Sequence, residues 1–241
     1  MIALALLLAP SVAAAQGGDP RPVEPNTALE VSLDAGYERA GALDGGQAGF
    51  DLAARVALHP AFEVGGGWGA RASWASLDGG AGGARVGLPP LRAWIGTGHV
   101  GGEWRFALRV EGGIGTQLLD APEASSNGEQ GFLTLVGEVG VVTDLFRPRL
   151  TLRLGAAYSG ALAWAGVGEL RLAIELGPAS WPARPFAAAR FLVSTDLGHS
   201  ARPVVGAVID IDTSSLALAV LGPGSATGQL VELQLTWRLP L

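Results

Sequence analysis

Apolar and polar residues alternate with a period of two along most of the chain, and this pattern limits the folds that the chain can adopt. In residues 29–38, LEVSLDAGYE, the apolar side chains fall on one face of an extended strand and the charged or small ones on the other. A helix, with about 3.6 residues per turn, would mix the two sets. We therefore predict β-strands that each have one apolar and one polar face.

The pattern recurs in about 12 segments, which predicts an all-β, antiparallel up-and-down barrel of about 12 strands, with 10 as the alternative count. The segments lie near residues 27–39, 47–59, 61–77, 91–100, 103–118, 130–144, 148–159, 161–176, 184–196, 202–212, 214–222 and 228–241. The phase of 91–100 is ambiguous around Trp94. Short turns, as at His59 and Pro60, alternate with longer loops at 78–90 and 119–129, as a meander of hairpins requires.

The composition indicates what surrounds the apolar faces. Hydrophobic residues make up 49% of the 241 residues and charged residues only 16%, which is more apolar than the surface of a soluble protein. No stretch after residue 15 supplies the roughly 20 consecutive apolar residues of a membrane-spanning helix, so any membrane insertion would use strands. The absence of cysteine and lysine argues against disulfides, thiolate metal sites and a basic nucleic-acid-binding stripe.

The first residues have the pattern of a secretory signal peptide. Residues 2–8 form an apolar core, which is followed by Pro10 and by small residues up to Ala15. The positively charged segment that usually precedes such a core is missing. We expect a signal peptide at 1–15, a short polar leader at 16–26 and a single barrel domain over 27–241.

Aromatic residues are predicted to gather near the two ends of the strands. One belt would consist of Tyr37, Phe50, Trp74, Trp94, Phe132, Tyr158 and Trp164. The other would consist of Phe62, Trp104, Phe146, Trp181 and Trp237. Amphipathic rings concentrate at the headgroup depth of a bilayer, whereas strand propensity alone gives no reason for clustering at strand ends. Two such belts favour a barrel that spans a membrane.

The last segment alternates up to the final residue, with Val231, Leu233, Leu235, Trp237, Leu239 and Leu241 on one face and Glu232, Gln234, Thr236 and Arg238 on the other. It resembles the C-terminal assembly signal of the outer-membrane β-barrel proteins of Gram-negative bacteria, although that signal usually ends in an aromatic residue. The resemblance implies an outer-membrane, porin-like barrel with short periplasmic turns and longer external loops. It also implies a periplasmic leader, contact with outer-membrane lipid, and insertion by the barrel-assembly machinery.

The charged face of the strands is expected to line the lumen, because an arginine facing lipid costs about 2–4 kcal/mol at the membrane midplane. The acidic members of this face are Glu30, Asp34, Asp51, Glu63, Glu111, Glu138, Glu169, Glu175, Asp210 and Glu232. The basic members are Arg55, Arg71, Arg105, Arg109, Arg153, Arg171, Arg190 and Arg238. Two interpretations stay open, an ion-pair network that fills a narrow interior or the wall of a water-filled conduit.

No catalytic residue, metal site or cofactor is expected. His199 lies near Asp196 and Ser200, but adjacent Ser and His side chains of an extended strand point apart, and no His-x-Ser motif occurs. The stretch GTGHVG at 96–101 matches a dinucleotide-binding fingerprint in its letters, yet a strand rather than a helix follows it.

The function predicted from these features is a passive pore for ions or small polar solutes, or else a structural barrel. One alternative is a barrel lipid hydrolase that uses His199. Another is a soluble ligand-binding barrel, which would turn its apolar face inward and its polar face outward. We expect no nucleic-acid partner.

Overall fold

The computed structural model describes residues 27–40, 43–77, 82–121, 124–159, 162–195, 198–222 and 231–241. They form a closed barrel of twelve antiparallel strands, which confirms the predicted fold and shows that the alternative count of ten is wrong. The strands are β1 (Ala28–Ala40), β2 (Leu43–His59), β3 (Phe62–Leu77), β4 (Gly82–Gly101), β5 (Trp104–Ala121), β6 (Ala124–Val141), β7 (Phe146–Ser159), β8 (Leu162–Leu176), β9 (Ala183–Ser194), β10 (Gly198–Ile211), β11 (Ser214–Leu221) and β12 (Val231–Pro240). No helix among the described residues is long and apolar enough to cross a membrane. The predicted signal peptide and leader, 1–26, lie outside the described residues.

Each strand pairs with its neighbours in sequence, and β1 closes the barrel on β12. The register of this closing pair runs from Ala28 opposite Pro240 to Tyr37 opposite Val231, and the Leu241 amide donates to the Thr27 carbonyl oxygen at 3.0 Å. Both ends of the barrel domain therefore lie at one rim, together with the connections at 60–61, 102–103, 142–145, 177–182 and 212–213; we call this the turn rim. A closed sheet leaves no unpaired edge, which is the condition for strands to cross hydrocarbon.

The strands extend further toward the opposite rim than the sequence predicted. β4 begins at Gly82, β5 runs to Ala121 and β6 begins at Ala124, so most of the two predicted loops, 78–90 and 119–129, belongs to strands. The pairing of β5 with β6 is continuous up to Ala121 opposite Ala124. Glycine and serine weaken a strand only slightly, and the pairing of backbone groups with a long neighbouring strand outweighs that preference.

An irregularity in β4 accounts for the ambiguous phase around Trp94. The register with β5 shifts between Leu88 and Leu91, on either side of Pro89 and Pro90. Proline has no amide hydrogen for the ladder and is found at bulges, where one extra residue reverses the alternation of the faces. Beyond the shift, Trp94 faces the interior and is only 6% exposed.

The apolar face of the sheet points outward and the polar face inward. On β6, Leu133 and Leu135 are 58% and 47% exposed, whereas Thr134 and Val136 between and beside them are 2% and 1% exposed. The same alternation continues around the barrel and leaves an outer surface of exposed leucine, valine, isoleucine and tryptophan side chains. The alternative of a soluble ligand-binding barrel required the reverse arrangement and is wrong on this point.

One sector of the interior is apolar, which the sequence analysis did not predict. On β9, β10 and β11, a small buried cluster consists of Phe186, Val204, Val208, Ala217, Ala219 and Leu221. The Phe186 ring lies against Gly206 of the next strand, where a Cβ atom would come within 2.6 Å of the ring. The absence of a side chain at Gly206 thus lets the ring lie flat along the inner wall.

Candidate functional site: the charged inner wall

The structure places all eighteen charged residues of the predicted lumen face on inward-facing strand positions. Most are buried; Glu63 and Arg109, for example, are each 3% exposed. Several lie near the turn rim, and Arg105 and Asp210 are two of these. Arg105 donates to the carbonyl oxygens of Gly102 and Trp104 there. The Asp210 side chain is 42% exposed.

Five further arginines face the interior and were missed by the sequence analysis: Arg92, Arg147, Arg149, Arg184 and Arg202. The phase shift at Pro89 and Pro90 concealed the inward position of Arg92. Arg149 alternates with the predicted Arg153 on β7, so the period of two already contained the signal for it. Each of the five forms an ion pair with an inward carboxylate.

Glu30 connects the strands on both sides of the closure of the barrel. One of its carboxylate oxygens accepts from Arg55 of β2 at 3.0 Å and from Arg238 of β12 at 2.9 Å. The Glu30 and Arg55 side chains are less than 10% exposed, so water screens these contacts weakly. The network therefore links β12, β1 and β2 from inside the barrel.

Other carboxylates bind two arginines in the same way. Glu175 lies 2.7 Å from Arg147 and 2.5 Å from Arg184, which brings β7, β8 and β9 together near the turn rim. The Arg184 guanidinium also reaches Asp210 of β10 at 2.6 Å. Ion pairs between neighbouring strands restrict the movement of these side chains into the lumen.

A comparable cluster surrounds Arg109 of β5. This residue lies 3.5 Å from Glu111 and 3.6 Å from Glu138, which in turn accept from Arg153 at 3.3 Å and from Arg149 at 2.6 Å. Arg71 with Asp34, and Arg92 with Asp51, extend the ion pairs across β1 to β4.

Positive charge predominates on the inner wall, although the chain as a whole carries a formal net charge of −6. Among the residues whose side chains the structure describes, thirteen arginines face the interior against ten carboxylates, an excess of three positive charges. The thirteen are the eight predicted arginines and the five missed ones. Acidic residues that do not face inward include Glu103, Asp144 and Asp212 in the connections of the turn rim. The lumen and the rim thus differ in the sign of their charge.

Two of the predicted belt aromatics face the interior instead. Trp94 and Phe132 are 6% and 8% exposed and share the inward face with the charged residues of β4 and β6. Phe50 lies outward but near the middle of β2, because that strand begins at Leu43 rather than at 47. The remaining predicted belt residues lie on the outer surface or, for Trp181, in the connection 177–182: Tyr37, Phe62, Trp74, Trp104, Phe146, Tyr158, Trp164 and Trp237.

The three histidines lie away from the charged interior. His59 and His99 are exposed near the turn rim, and the Ala61 amide donates to Nδ1 of His59 at 3.2 Å. His199 and Ser200 are neighbours on β10 and therefore point to opposite faces of the sheet. Asp196 lies outside the described residues. No group of three histidine, aspartate or glutamate side chains in the described part of the chain could hold a metal ion.

The barrel is similar to solved structures of comparable size. The translocator domain of the autotransporter NalP from Neisseria meningitidis matches 95% of this chain and 92% of its own, with a TM-score of 0.60 and 14% sequence identity. The β domain of the Bordetella autotransporter BrkA matches 89% of this chain and 99% of its own, with a TM-score of 0.63 and 14% identity. The fold is that of an outer-membrane β-barrel.

The transport unit of the autotransporter AIDA-I from Escherichia coli is a third outer-membrane barrel of this shape. It covers all of this chain and 97% of its own at a TM-score of 0.64 and 8% identity. No protein-family model and no curated protein sequence matches the chain. At 8–14% identity these likenesses show the barrel fold and do not carry the activity of the autotransporters over to this chain.

Proposed function

We propose that this chain is exported to the outer membrane and forms a narrow passive pore for ions and small polar solutes. The observation that carries the proposal is the inner wall, to which every strand except β11 contributes at least one charged side chain. Ionised groups lower the energy of an ion or polar solute in a narrow passage by replacing part of its hydration.

The outer surface supports the membrane location. A transmembrane strand needs about 9–11 residues to cross the hydrocarbon core, and all strands except β11 and β12 exceed that length. Exposed leucines such as Leu133 and Leu135 would meet lipid instead of water in that setting, and outward rings such as Trp104 and Trp164 lie toward opposite ends of the barrel.

A barrel that is closed and purely structural is the second candidate. It is favoured by the low exposure of interior side chains, among them Val136 at 1% and Glu175 at 2%, and by the ion pairs that join neighbouring strands. Side chains fill the interiors of small barrels, and wide aqueous channels are found in larger ones. The two candidates make opposite predictions for ion conductance.

The test is conductance in a planar bilayer after refolding in detergent, with a heat-dependent gel shift as the sign of a folded barrel. We expect discrete current steps of low conductance. Arg109→Ala should enlarge them, because Arg109 faces the interior, is 3% exposed and fills part of the lumen. Phe106→Ala, on the outward face of the same strand, is the matched control and should leave them unchanged. A folded but silent barrel would favour the structural candidate and end the pore proposal.

A lipid hydrolase remains the enzymatic alternative, and His199→Ala tests it. Loss of a measurable lipase activity in that variant would support the alternative. The opposite faces of His199 and Ser200 on β10 argue against a shared hydrogen bond between them.

We also propose that the barrel-assembly machinery inserts the chain through β12. Comparing assembly in cells with refolding in detergent separates this step from folding alone. Trp237→Ala should lower the amount of barrel assembled in cells while leaving refolding in detergent unchanged, because Trp237 is 44% exposed on the outer face. An equal loss in both settings would show that Trp237 acts only through stability.

A further inference from the structure

The outer face of the barrel has two neighbouring apolar grooves, both in the half that adjoins the turn rim. The first has a volume of about 520 Å³ and the second a volume of about 400 Å³. Outward side chains that line the first groove include Trp104, Val141, Pro148, Ile174 and Ala187. Outward side chains that line the second groove include Thr97, His99, Phe106, Leu108 and Leu152.

Small residues form the floors of both grooves. In the first groove, Ala187 and Ala189 of β9 lie directly opposite the larger Ile174 and Leu172 of β8. In the second groove the floor is Gly137, and nothing lies within 4 Å of the place where its Cβ atom would be. The small residues thus leave depressions in an outer surface that otherwise consists largely of exposed leucine, valine and aromatic side chains.

The two grooves share a wall, which is formed by Val139 of β6 and Leu150 of β7. These two residues are directly opposite each other and line both grooves. Two apolar channels with a common wall match the two acyl chains of a diacyl phospholipid, which leave one glycerol group side by side. An acyl chain in a groove gains van der Waals contacts along its sides that a flat apolar face does not offer.

The turn rim beside the grooves is acidic on its outer side. Glu103 and Asp144 are exposed in two connections whose backbones are hydrogen-bonded to each other, and Trp104, which follows Glu103, lines the first groove. Neither carboxylate forms an ion pair within the described part of the chain. The arginines that begin the adjacent strands, Arg105 and Arg147, face the interior. The outer side of the rim therefore presents negative charge where the first groove begins.

We infer that the two grooves bind one diacyl phospholipid with a primary ammonium headgroup, such as phosphatidylethanolamine, from the leaflet at the turn rim. The acyl chains occupy the grooves, and the ammonium donates charge-assisted hydrogen bonds to Glu103 and Asp144. Trp104 lies beside the first groove at the end of the barrel, and tryptophan rings concentrate at headgroup depth. The carboxylates repel an anionic headgroup, and a choline headgroup has no N–H donor. The inference requires the membrane location of the proposed function and does not require an open lumen.

Native mass spectrometry of the barrel released from detergent tests the headgroup preference. Folded barrel, identified by its heat-dependent gel shift, is incubated with phosphatidylethanolamine, phosphatidylcholine and phosphatidylglycerol that have identical acyl chains. We expect the wild-type barrel to retain phosphatidylethanolamine about fivefold better than either of the others, which is the equivalent of one exposed ion pair. Glu103→Gln combined with Asp144→Asn should abolish this preference and leave the retention of phosphatidylcholine unchanged.

Filling the grooves tests where the acyl chains bind. Gly137→Leu combined with Ala189→Leu should lower the retention of all three lipids, because leucine side chains would occupy both floors. Ala54→Leu is the matched control, since Ala54 is exposed on the outer face of β2 and lines neither groove, and it should leave retention unchanged.

Equal retention of the three lipids by the wild-type barrel would overturn the inference, and so would a preference for phosphatidylethanolamine that survives the filling of both grooves. Either result would leave the membrane location and the pore proposal intact. A dimer in detergent that the filled variant dissociates would assign the grooves to a second copy of this chain and would also overturn the inference.

Discussion

At the scale of single residues, the stability of the barrel depends on carboxylates that each form ion pairs with two arginines. Glu30 is the clearest case, because it is 7% exposed and accepts from Arg55 and Arg238 across the strands that close the barrel. Removing one member of a buried ion pair leaves the other charge without compensation in a medium of low dielectric constant. The loss is larger than for a contact at the surface, where water and salt screen the charges.

We predict that Glu30→Gln lowers the free energy of unfolding by about 3–5 kcal/mol, measured by urea unfolding of the barrel in lipid vesicles. The matched control is Asp44→Asn, which weakens the exposed 2.9 Å hydrogen bond from Tyr37. The control should lose less than about 1 kcal/mol. Equal losses in the two variants would show that the interior pairs are as well solvated as the surface ones.

Gly65 provides a second prediction at this scale, because the Trp94 ring lies directly over it. A Cβ atom at Gly65 would come within 2.1 Å of that ring and 2.8 Å of the Ala54 carbonyl oxygen. The ring also has the Arg92 guanidinium 5.8 Å from its centroid, so it cannot move without disturbing a charged neighbour.

Gly65→Ala should therefore destabilise the barrel by about 1–3 kcal/mol, as overpacked sites do. Gly137→Ala is the control, since nothing lies within 4 Å of the place where its Cβ would be. Thermal melting monitored by tryptophan fluorescence compares the two. Similar melting temperatures for both variants would contradict the close packing of Trp94 on β3.

At the scale of elements, each strand separates a lipid-facing row from a lumen-facing row. β6 shows this with its outward Leu135, 47% exposed, and the connection after it contains Leu145, 63% exposed. Both leucines are accessible on the surface, but only Leu135 falls within the span of a strand. In a membrane, a charged residue would face lipid at position 135 and water at position 145, whereas without a membrane it would face water at both.

We predict that Leu135→Arg lowers the free energy of unfolding in lipid vesicles by about 2–4 kcal/mol and that Leu145→Arg changes it by less than about 1 kcal/mol. Urea titration of refolded protein gives both values. Comparable tolerance of the two arginines would indicate that the outer surface of β6 does not face lipid.

At the scale of the whole molecule, the period of two was sufficient to predict the strand count, the closed antiparallel barrel and the direction of both faces. It was sufficient because an alternating strand buried on one face has only one register that keeps its charges out of lipid. Prediction failed where local chemistry interrupted that period. Pro89 and Pro90 shifted the phase of β4 and concealed the inward positions of Arg92 and Trp94.

The long hairpins and the alignment of three arginines on β8, β9 and β10 had no comparable signal in the sequence. The residues of 82–90 and 124–129 pair in strands because a partner strand is beside them, which local composition does not reveal. Arg171, Arg190 and Arg202 come together only through the registers of β8 with β9 and β9 with β10, and register is set by the whole sheet.

The central claim is that a lumen-facing row and an apolar, lipid-facing row of side chains alternate along the strands, and the absence of cysteine from the chain makes it directly measurable. Three variants would each have a single cysteine, in place of Leu133, Thr134 or Leu135 of β6. Each cysteine would be labelled with a nitroxide, and the labelled barrel would be refolded in lipid vesicles. Collision rates with oxygen, which concentrates in the bilayer, should be high at 133 and 135 and low at 134. Equal rates at the three positions, or the highest rate at 134, would contradict the account.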